Sequence, residues 1–166
     1  MGRLTVICGP AGVGKSTYGR KLAGKTGAVL LDSDTVTEPV VRAGMSLGGL
    51  DPDDRDSPEY RAAFRDPVYK CLFAVAAENL PHADVILVGP FTSEIRDEAW
   101  PDKLRARFGV EVEFVYLDCP AEERLRRIKE RGNPRDVAKL ADWEGFLNQS
   151  NPSPPVFRHQ KIMTSG

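Results

Sequence analysis

Lys15 and Ser16 close a run in which glycine stands at positions 9, 12 and 14: Gly9-Pro10-Ala11-Gly12-Val13-Gly14-Lys15-Ser16 fits the spacing G-x-x-x-x-G-K-[ST] in full. Backbone N–H groups can converge on a polyphosphate only where the loop wraps without side-chain bulk, which glycine permits. A helix starting near Lys15 would direct its positive end at the same anion. In such a cradle Gly9, Ala11, Gly12, Val13, Gly14, Lys15, Ser16 and Thr17 surround the phosphates. Lys15 neutralises the β- and γ-phosphates, and the Ser16 hydroxyl completes a magnesium shell. A β-rich apolar run, Leu4 to Cys8, precedes the loop and a helix-compatible segment follows it, which is the context this spacing requires. The residues therefore predict binding of a nucleoside triphosphate with Mg2+.

Two carboxylates come next. Asp32-Ser33-Asp34 ends a second apolar run, Ala28 to Leu31, at the edge where ligands collect in open parallel sheets. Asp32 there can hold the hydration shell of a metal ion, and Asp34 can accept the proton of an attacking hydroxyl. Phosphoryl transfer needs chiefly alignment and charge neutralisation, so a carboxylate of ordinary pKa suffices as a late proton acceptor. The alternative is an Asx turn that merely closes the strand.

A third cluster is cationic. Residues 122 to 135 hold six basic side chains against three acidic ones, more than mutual pairing would use. Arg127 and Arg131 are four apart and project from one helical face, with Arg124 on the preceding turn. One guanidinium can stack on a base while the other reaches a phosphate. Gly132-Asn133-Pro134-Arg135 then reads as a short closing lid. The competing reading is a solvated face laced by Glu123 and Glu130.

The elements that must position these groups follow from periodicity. Buried strands are expected at Leu4–Cys8 and 28 to 31, and further strands at 84 to 88, 110 to 117 and around Phe157 to Met163. Helices are expected from Lys15 to a stop at Gly24 or Gly27, from Ser57-Pro58 to Leu80 with a break or kink at Pro67, from Ser93 to Phe108, from Pro120 to Arg131, and from Asp136 to Leu147. Residues 35 to 57 read as irregular, and Asn151 to Pro155 as a Pro-rich turn. Strands alternating with helices predict an α/β domain with a mostly parallel sheet covered on both faces. With 166 residues and no linker, the chain is expected to form one domain over 1–166, with an acceptor-binding insertion at about 35–83 and a lid at about 131–136.

Composition bounds the rest. The chain is 41% hydrophobic and 28% charged, ordinary for a globular protein, and no apolar run approaches the ~18 residues that span a bilayer. The start has no signal-peptide or myristoylation pattern. Cys8, Cys71 and Cys119 form neither a disulfide framework nor a metal-ligand spacing, which points to a reducing, cytoplasmic setting. A net charge of −1 supplies no global field for nucleic acid.

Together these motifs resemble the P-loop small-molecule and polynucleotide kinases: the Zeta-toxin and chloramphenicol phosphotransferase group, the 5′-hydroxyl polynucleotide kinases, and the shikimate and gluconate kinases. Val115 to Arg131 looks like their fourth strand and lid-entering helix, and Phe157 to Gly166 like their final strand and base-clasping loop. The resemblance implies a three-layer P-loop fold with five parallel strands ordered 2-3-1-4-5. It also implies ATP as donor, Asp34 as base, Arg127 near the adenine and Arg131 on the phosphates. Two departures stand out. Strand three ends Val88-Gly89-Pro90 without the aspartate many relatives place there, which leaves Asp32 with more of the metal's shell. The chain also stops where relatives usually add a helix, so the base pocket is expected to be open or finished by a second subunit.

The expected acceptor lies beside residues 35 to 83 and Phe91-Thr92-Ser93, with Arg42, Arg65 and Thr92 as candidate contacts. Six acidic residues against two arginines between positions 35 and 60 would repel a phosphate backbone, which favours a small hydroxyl compound, uncharged or cationic. A nucleic-acid 5′ end is the second acceptor class. A nucleotide-dependent regulatory module without transfer chemistry is the alternative from another class. A GTPase is disfavoured because N-K-x-D is missing, as is D-x-x-G after strand three; Ser46 to Leu50 only superficially matches a transporter signature.

Overall fold

A computed structural model describes residues 1–150 and 153–164. Five strands, β1 (Leu4–Cys8), β2 (Val29–Asp32), β3 (Val85–Val88), β4 (Val112–Asp118) and β5 (Gln160–Met163), form one parallel sheet in the order β2-β3-β1-β4-β5. This is the order the kinase resemblance implies. Ile7 lies opposite both Val88 and Val115, and Asp32 lies opposite Val88. The carboxyl ends of the strands thus meet along one edge, with Asp32 across β3 from the loop that leaves β1.

Side chains alternate across the strands and build a core on each face. On one face Leu4, Val6, Cys8, Leu31, Leu87, Phe114 and Tyr116 pack with Tyr69, Leu72 and Ala76 of α3 (Pro58–Asn79). On the other, Ile7, Ile86, Val88, Val115 and Leu117 pack with Tyr18 and Leu22 of α1 (Lys15–Thr26). Gly27, at φ 72°, caps α1 and donates its N–H to Ala23, so Gly27 and not Gly24 is the stop.

The largest correction concerns residues 35 to 57. They are not irregular throughout: α2 (Ser33–Leu47) starts directly at the end of β2, with Asp32 as its N-cap. Its buried residues Ser33, Thr37, Val41 and Met45 recur every fourth position, the spacing of one helical face. Pro39 sits on the exposed side, where its missing N–H leaves the buried face intact. Helix α3 is capped by the Ser57 side chain, which accepts from Tyr60 N–H, and it continues through Pro67, which leaves a kink and not a break as the surviving expectation there.

After β3 the chain turns at Phe91, a non-glycine residue at φ 45°. That conformation costs roughly 1–2 kcal/mol for an L-residue. The fully buried Phe91 ring offsets it by packing against Tyr69 and Trp100 at centroid distances of 5.0 and 5.3 Å, and its N–H donates to the Tyr69 hydroxyl. The helix expected from Ser93 begins later: Glu94–Arg96 is a 3₁₀ turn and α4 spans Trp100–Phe108. Next come α5 (Ala121–Arg131), ended by Gly132 at φ 56°, and a 3₁₀ turn at Pro134–Asp136. The helix expected from Asp136 is two short ones, α6 (Val137–Ala141) and α7 (Trp143–Ser150). Asn151 and Pro152 of the expected turn, and Ser165 and Gly166 of the expected base clasp, lie outside the described residues. No described helix is long and apolar enough to cross a membrane.

Candidate active site

The loop from Gly9 to Gly14 rises from the end of β1 and turns into α1 at Lys15, with Gly9, Gly12 and Gly14 all at positive φ. Gly12 is required sterically as well. A Cβ there would stand 2.9 Å from the Arg124 carbonyl oxygen and from Ile128 Cγ1, so the loop rests directly on α5. Val13 is fully buried and anchors the loop in the α1-side core. Its carbonyl accepts from the Thr164 hydroxyl at 2.8 Å and from Arg127 at 3.3 Å, which ties the cradle to the chain leaving β5.

Lys15 donates to the carbonyls of Gly9 and Pro10 at 2.8 and 2.9 Å, folding back over the cradle it would share with a phosphate. Burial pulls its ammonium down to about 8, against the opposing charges of Asp34 and Asp32. Asp34 is the largest charged influence raising Lys15, and Lys15 and Arg131 in turn act on Asp34. The phosphate lysine, the candidate base and the arginine ending α5 thus share one electrostatic neighbourhood.

Asp32 serves two ways at once. One carboxylate oxygen caps α2 by accepting from Asp34 N–H at 3.0 Å, the Asx arrangement that the sequence left as an alternative. The other is buried and has no hydrogen-bond partner. An unmet buried carboxylate oxygen beside a phosphate cradle carrying Ser16 suits a hydrated divalent cation, whose preferred ligands are oxygens and water. The residues present therefore fit Mg2+.

Asp34 itself is 62% exposed, but Arg135 holds it at 2.9 Å. Desolvation in the cleft pushes its pKa up; the Arg135 hydrogen bond and the charges of Arg135, Lys15 and Arg131 outweigh this and hold it below the usual range. Arg135 also reaches Glu38 at 2.8 Å. The lid is therefore closed onto α2 by a bond between residues 101 positions apart, which local spacing does not signal. Sequence reasoning placed Arg135 in the lid without giving it this partner.

Arg127 and Arg131 share the face expected for them but are positioned by neighbouring acids. Arg127 is held by Glu123 at 2.7 Å and by Thr164 at 3.0 Å. Hydrogen bonds from Arg126 and Arg127 hold the Glu123 carboxyl down at about 2. Arg131 makes a two-point pair with Asp136, at 2.6 and 2.7 Å, whose side chain is only 2% exposed. Arg124 is separate: it turns inward with Ile128 and is buried. On the acceptor side, Arg42 pairs with Asp53, and Arg65 makes a two-point pair with Glu94 at 2.7 and 2.9 Å. Thr92 lies exposed beside buried Phe91. Asp53, Glu38 and Asp56 are paired with Arg42, Arg55 and Lys139, so half of the acidic run is neutralised within the protein, while Asp51, Asp54 and Glu59 stand outside these pairs. A surface depression of about 550 Å³, lined by Met1, Arg3, Asp84 and Glu111 among others, lies at the opposite edge, where the strands begin.

Residues 4–152 match the AAA_33 family, described as an AAA domain. The chain is 28% identical over 161 residues to a shikimate kinase of Bradyrhizobium diazoefficiens, covering 96% of this chain and 70% of that protein. It is 32% identical over 141 residues to a shikimate kinase of Halorhodospira halophila, covering 85% and 70%. Its fold is similar to the crystal structure of a sugar kinase from Janibacter sp. HTCC2649, with a TM-score of 0.60, 22% identity, and 99% and 85% of the two chains covered.

Proposed function

This chain belongs to the AAA_33 family of P-loop kinases, and from that premise we propose that it transfers the γ-phosphate of ATP to a hydroxyl group of a small molecule. The observation that carries the reading is the sheet edge that gathers the glycine-lined cradle with Lys15, the Asp32 carboxylate with its unmet buried oxygen, and Asp34 bonded to Arg135 of the lid. A phosphate cradle alone serves motors and switches equally well. A carboxylate kept ionised beside the phosphate lysine is what hydroxyl phosphorylation adds.

Backbone N–H groups of Gly9 and of Ala11 to Ser16 and the amino end of α1 hold the polyphosphate, and Lys15 moves from the Gly9 and Pro10 carbonyls onto the β- and γ-phosphates. Ser16 and the unmet oxygen of Asp32 hold Mg2+, directly or through its waters. When bound, the ion neutralises charge on the transferring phosphoryl group. Asp34 orients the acceptor hydroxyl and takes its proton late, where a low pKa is no handicap because the loose transition state develops little nucleophile charge early. Arg131, steadied by Asp136, covers the phosphates from the lid side, and Arg127 lies beside the base. Arg42, Arg65 and Thr92 border the acceptor. The three free cysteines accord with a cytoplasmic location.

Incubation with γ-labelled ATP, Mg2+ and a panel of small hydroxyl compounds alongside 5′-hydroxyl oligonucleotides tests the reading. Label should pass to a small molecule, and Asp34→Asn should lower turnover by roughly 10²–10⁴-fold, the scale of general-base loss, with ATP still bound. Transfer that survives Asp34→Asn unchanged, or tight ATP binding with no transfer to any acceptor, overturns it.

A further inference from the structure

Arg135 stands between two acids. Its Nη2 donates to Asp34 Oδ2 at 2.9 Å and its Nη1 to Glu38 Oε2 at 2.8 Å, with a longer contact of 3.4 Å from Nη1 to Asp34 Oδ1. The other oxygen of Glu38 takes Arg55 at 2.9 Å. The lid is built to present this guanidinium. Gly132, at φ 56°, ends α5 and turns the chain, and Asn133 accepts the Arg135 N–H at 3.0 Å. The Lys139 ammonium donates to the Arg135 carbonyl at 3.3 Å and also pairs with Asp56.

The two halves of this contact differ in strength. Asp34 is 62% exposed and Glu38 25%, so water competes more for the first bond than for the second. Breaking the Asp34 bond leaves Arg135 on Glu38 with its charge still compensated, and leaves Asp34 solvated. The Asp34 half can therefore release alone. Until it does, the carboxylate that would receive the acceptor's proton is tied to the lid. The restraint is one of direction and not of basicity, because a nucleophile aligned on the γ-phosphate needs the carboxylate turned toward it. Lys15 is likewise bonded to its own loop and Arg131 to Asp136, so Asp34 is one of three reactive groups that the free protein keeps on internal partners.

We infer that Arg135 selects the bound alcohol over water as the nucleophile, by holding Asp34 on the lid until an acceptor in the cleft takes the carboxylate from it. The inference rests on the kinase reading and adds to it the means by which ATP is spared when no acceptor is present. A compound that fills the cleft brings contacts beyond its hydroxyl, and these drive the exchange of partners at Asp34; a water molecule brings no further contacts. The reaction held back is hydrolysis. The oxygen of water attacks the γ-phosphorus, the bond from that phosphorus to the bridging oxygen of ADP breaks, and ADP leaves with the electron pair. The water's proton passes through Asp34 to solvent, and inorganic phosphate is the product. Arg135 touches none of the reacting atoms and acts through Asp34, as a positioning residue.

The test measures phosphate release from ATP and Mg2+ with no acceptor present. The parent protein should release phosphate slowly. Arg135→Met should speed release about 10-fold or more, inside the ~10²–10⁴-fold that a general base contributes. Adding Asp34→Asn to Arg135→Met should remove the gain. Arg135→Met should fold, because Glu38 keeps Arg55 and Asp34 is solvated. Arg135→Lys keeps a charge for Glu38 but not the fork that reaches both acids; it should release phosphate at a rate between the two, and it carries the same test if the Met variant fails to fold. Glu38→Gln is the control for a loosened lid. It keeps the Asp34 bond, so its lid should exchange amide protons faster while phosphate release stays at the parent rate. Release that is unchanged or slower in the Arg135 variants shows that Arg135 serves closure or transfer alone, and the inference is wrong. It is equally wrong if the gain survives Asp34→Asn, or if Glu38→Gln matches the gain, since entry of water would then account for it. Those outcomes leave the kinase reading intact wherever label passes from ATP to a hydroxyl compound. The expected pattern of release with no transfer to any acceptor upholds the role of Arg135 and defeats the kinase reading.

Discussion

Lys15 in the free protein is bonded to two carbonyls of its own loop, and burial has brought its ammonium to about 8. Phosphate oxygens favour the charged form, so binding ATP should lift the pKa again and draw in a proton. At pH 8 about half a proton should be taken up per ATP bound, because half the free lysine is then neutral. Calorimetric titration in buffers of different ionisation enthalpy reads this directly, with Lys15→Met as the control. Uptake that is absent, or that persists in Lys15→Met, would refute the assignment. The sign for stability is opposite to that for ligand affinity. With a native pKa below the ordinary 10.5, the unfolded chain binds more protons between about 8 and 10.5. The unliganded fold therefore gains stability across that window as pH rises, while ATP affinity falls.

At the scale of elements, the cradle is held by α5 from beneath, and one glycine registers that contact. Gly12 stands at φ 79°, with the Arg124 carbonyl and Ile128 where a Cβ would go. Gly12→Ala should cost about 2–4 kcal/mol, combining left-handed strain with overpacking. Denaturant titration should show that loss, together with weakened ATP binding, since α5 carries Arg127 and Arg131. A neutral Gly12→Ala would mean that the loop and helix are not in contact. The cradle was legible in the sequence because its chemistry is local: glycines, Lys15 and Ser16 must occur at fixed spacing. Helix α2 was not, because Pro39, Gly44, Gly48 and Gly49 obscured the four-residue recurrence of Thr37, Val41 and Met45. Asp32 was ambiguous for a physical reason, since a strand-ending cap and a metal-shell carboxylate call for the same residue, and here it has an oxygen for each. Arg124 read as a companion of Arg127 and Arg131, although it is displaced around the helix toward Ile128; burial of that face depends on what packs there.

Across the whole molecule, Glu38 joins three parts of the chain that are remote in sequence. It lies on α2 and takes Arg55 from the following turn at 2.9 Å, Arg135 from the lid at 2.8 Å and, more weakly, Arg42 at 4.0 Å. Arg55 is the critical partner. Its side chain is 9% exposed, and its guanidinium also lies over the Tyr60 ring, so it cannot readily recover solvation if the carboxylate is lost. An exposed pair would be worth little, but removing one member of a buried pair leaves the other charge uncompensated. Glu38→Gln should therefore destabilise the protein by about 3 kcal/mol, at the low end for a buried pair because Glu38 retains 25% exposure. For a chain of this size that lowers Tm by roughly 6–12 °C. Arg135 would keep Asp34 as its only carboxylate partner, so the same substitution should loosen the lid and quicken amide exchange over residues 132–139. Thermal melts and hydrogen exchange, compared with the exposed-pair variant Asp102→Asn, separate the two effects. A melting point within about 2 °C of the parent would show that Arg55 is solvated without Glu38. Unchanged exchange in the lid would show that Asp34 alone suffices to hold it, and the link between lid and α2 would then rest on the candidate base itself.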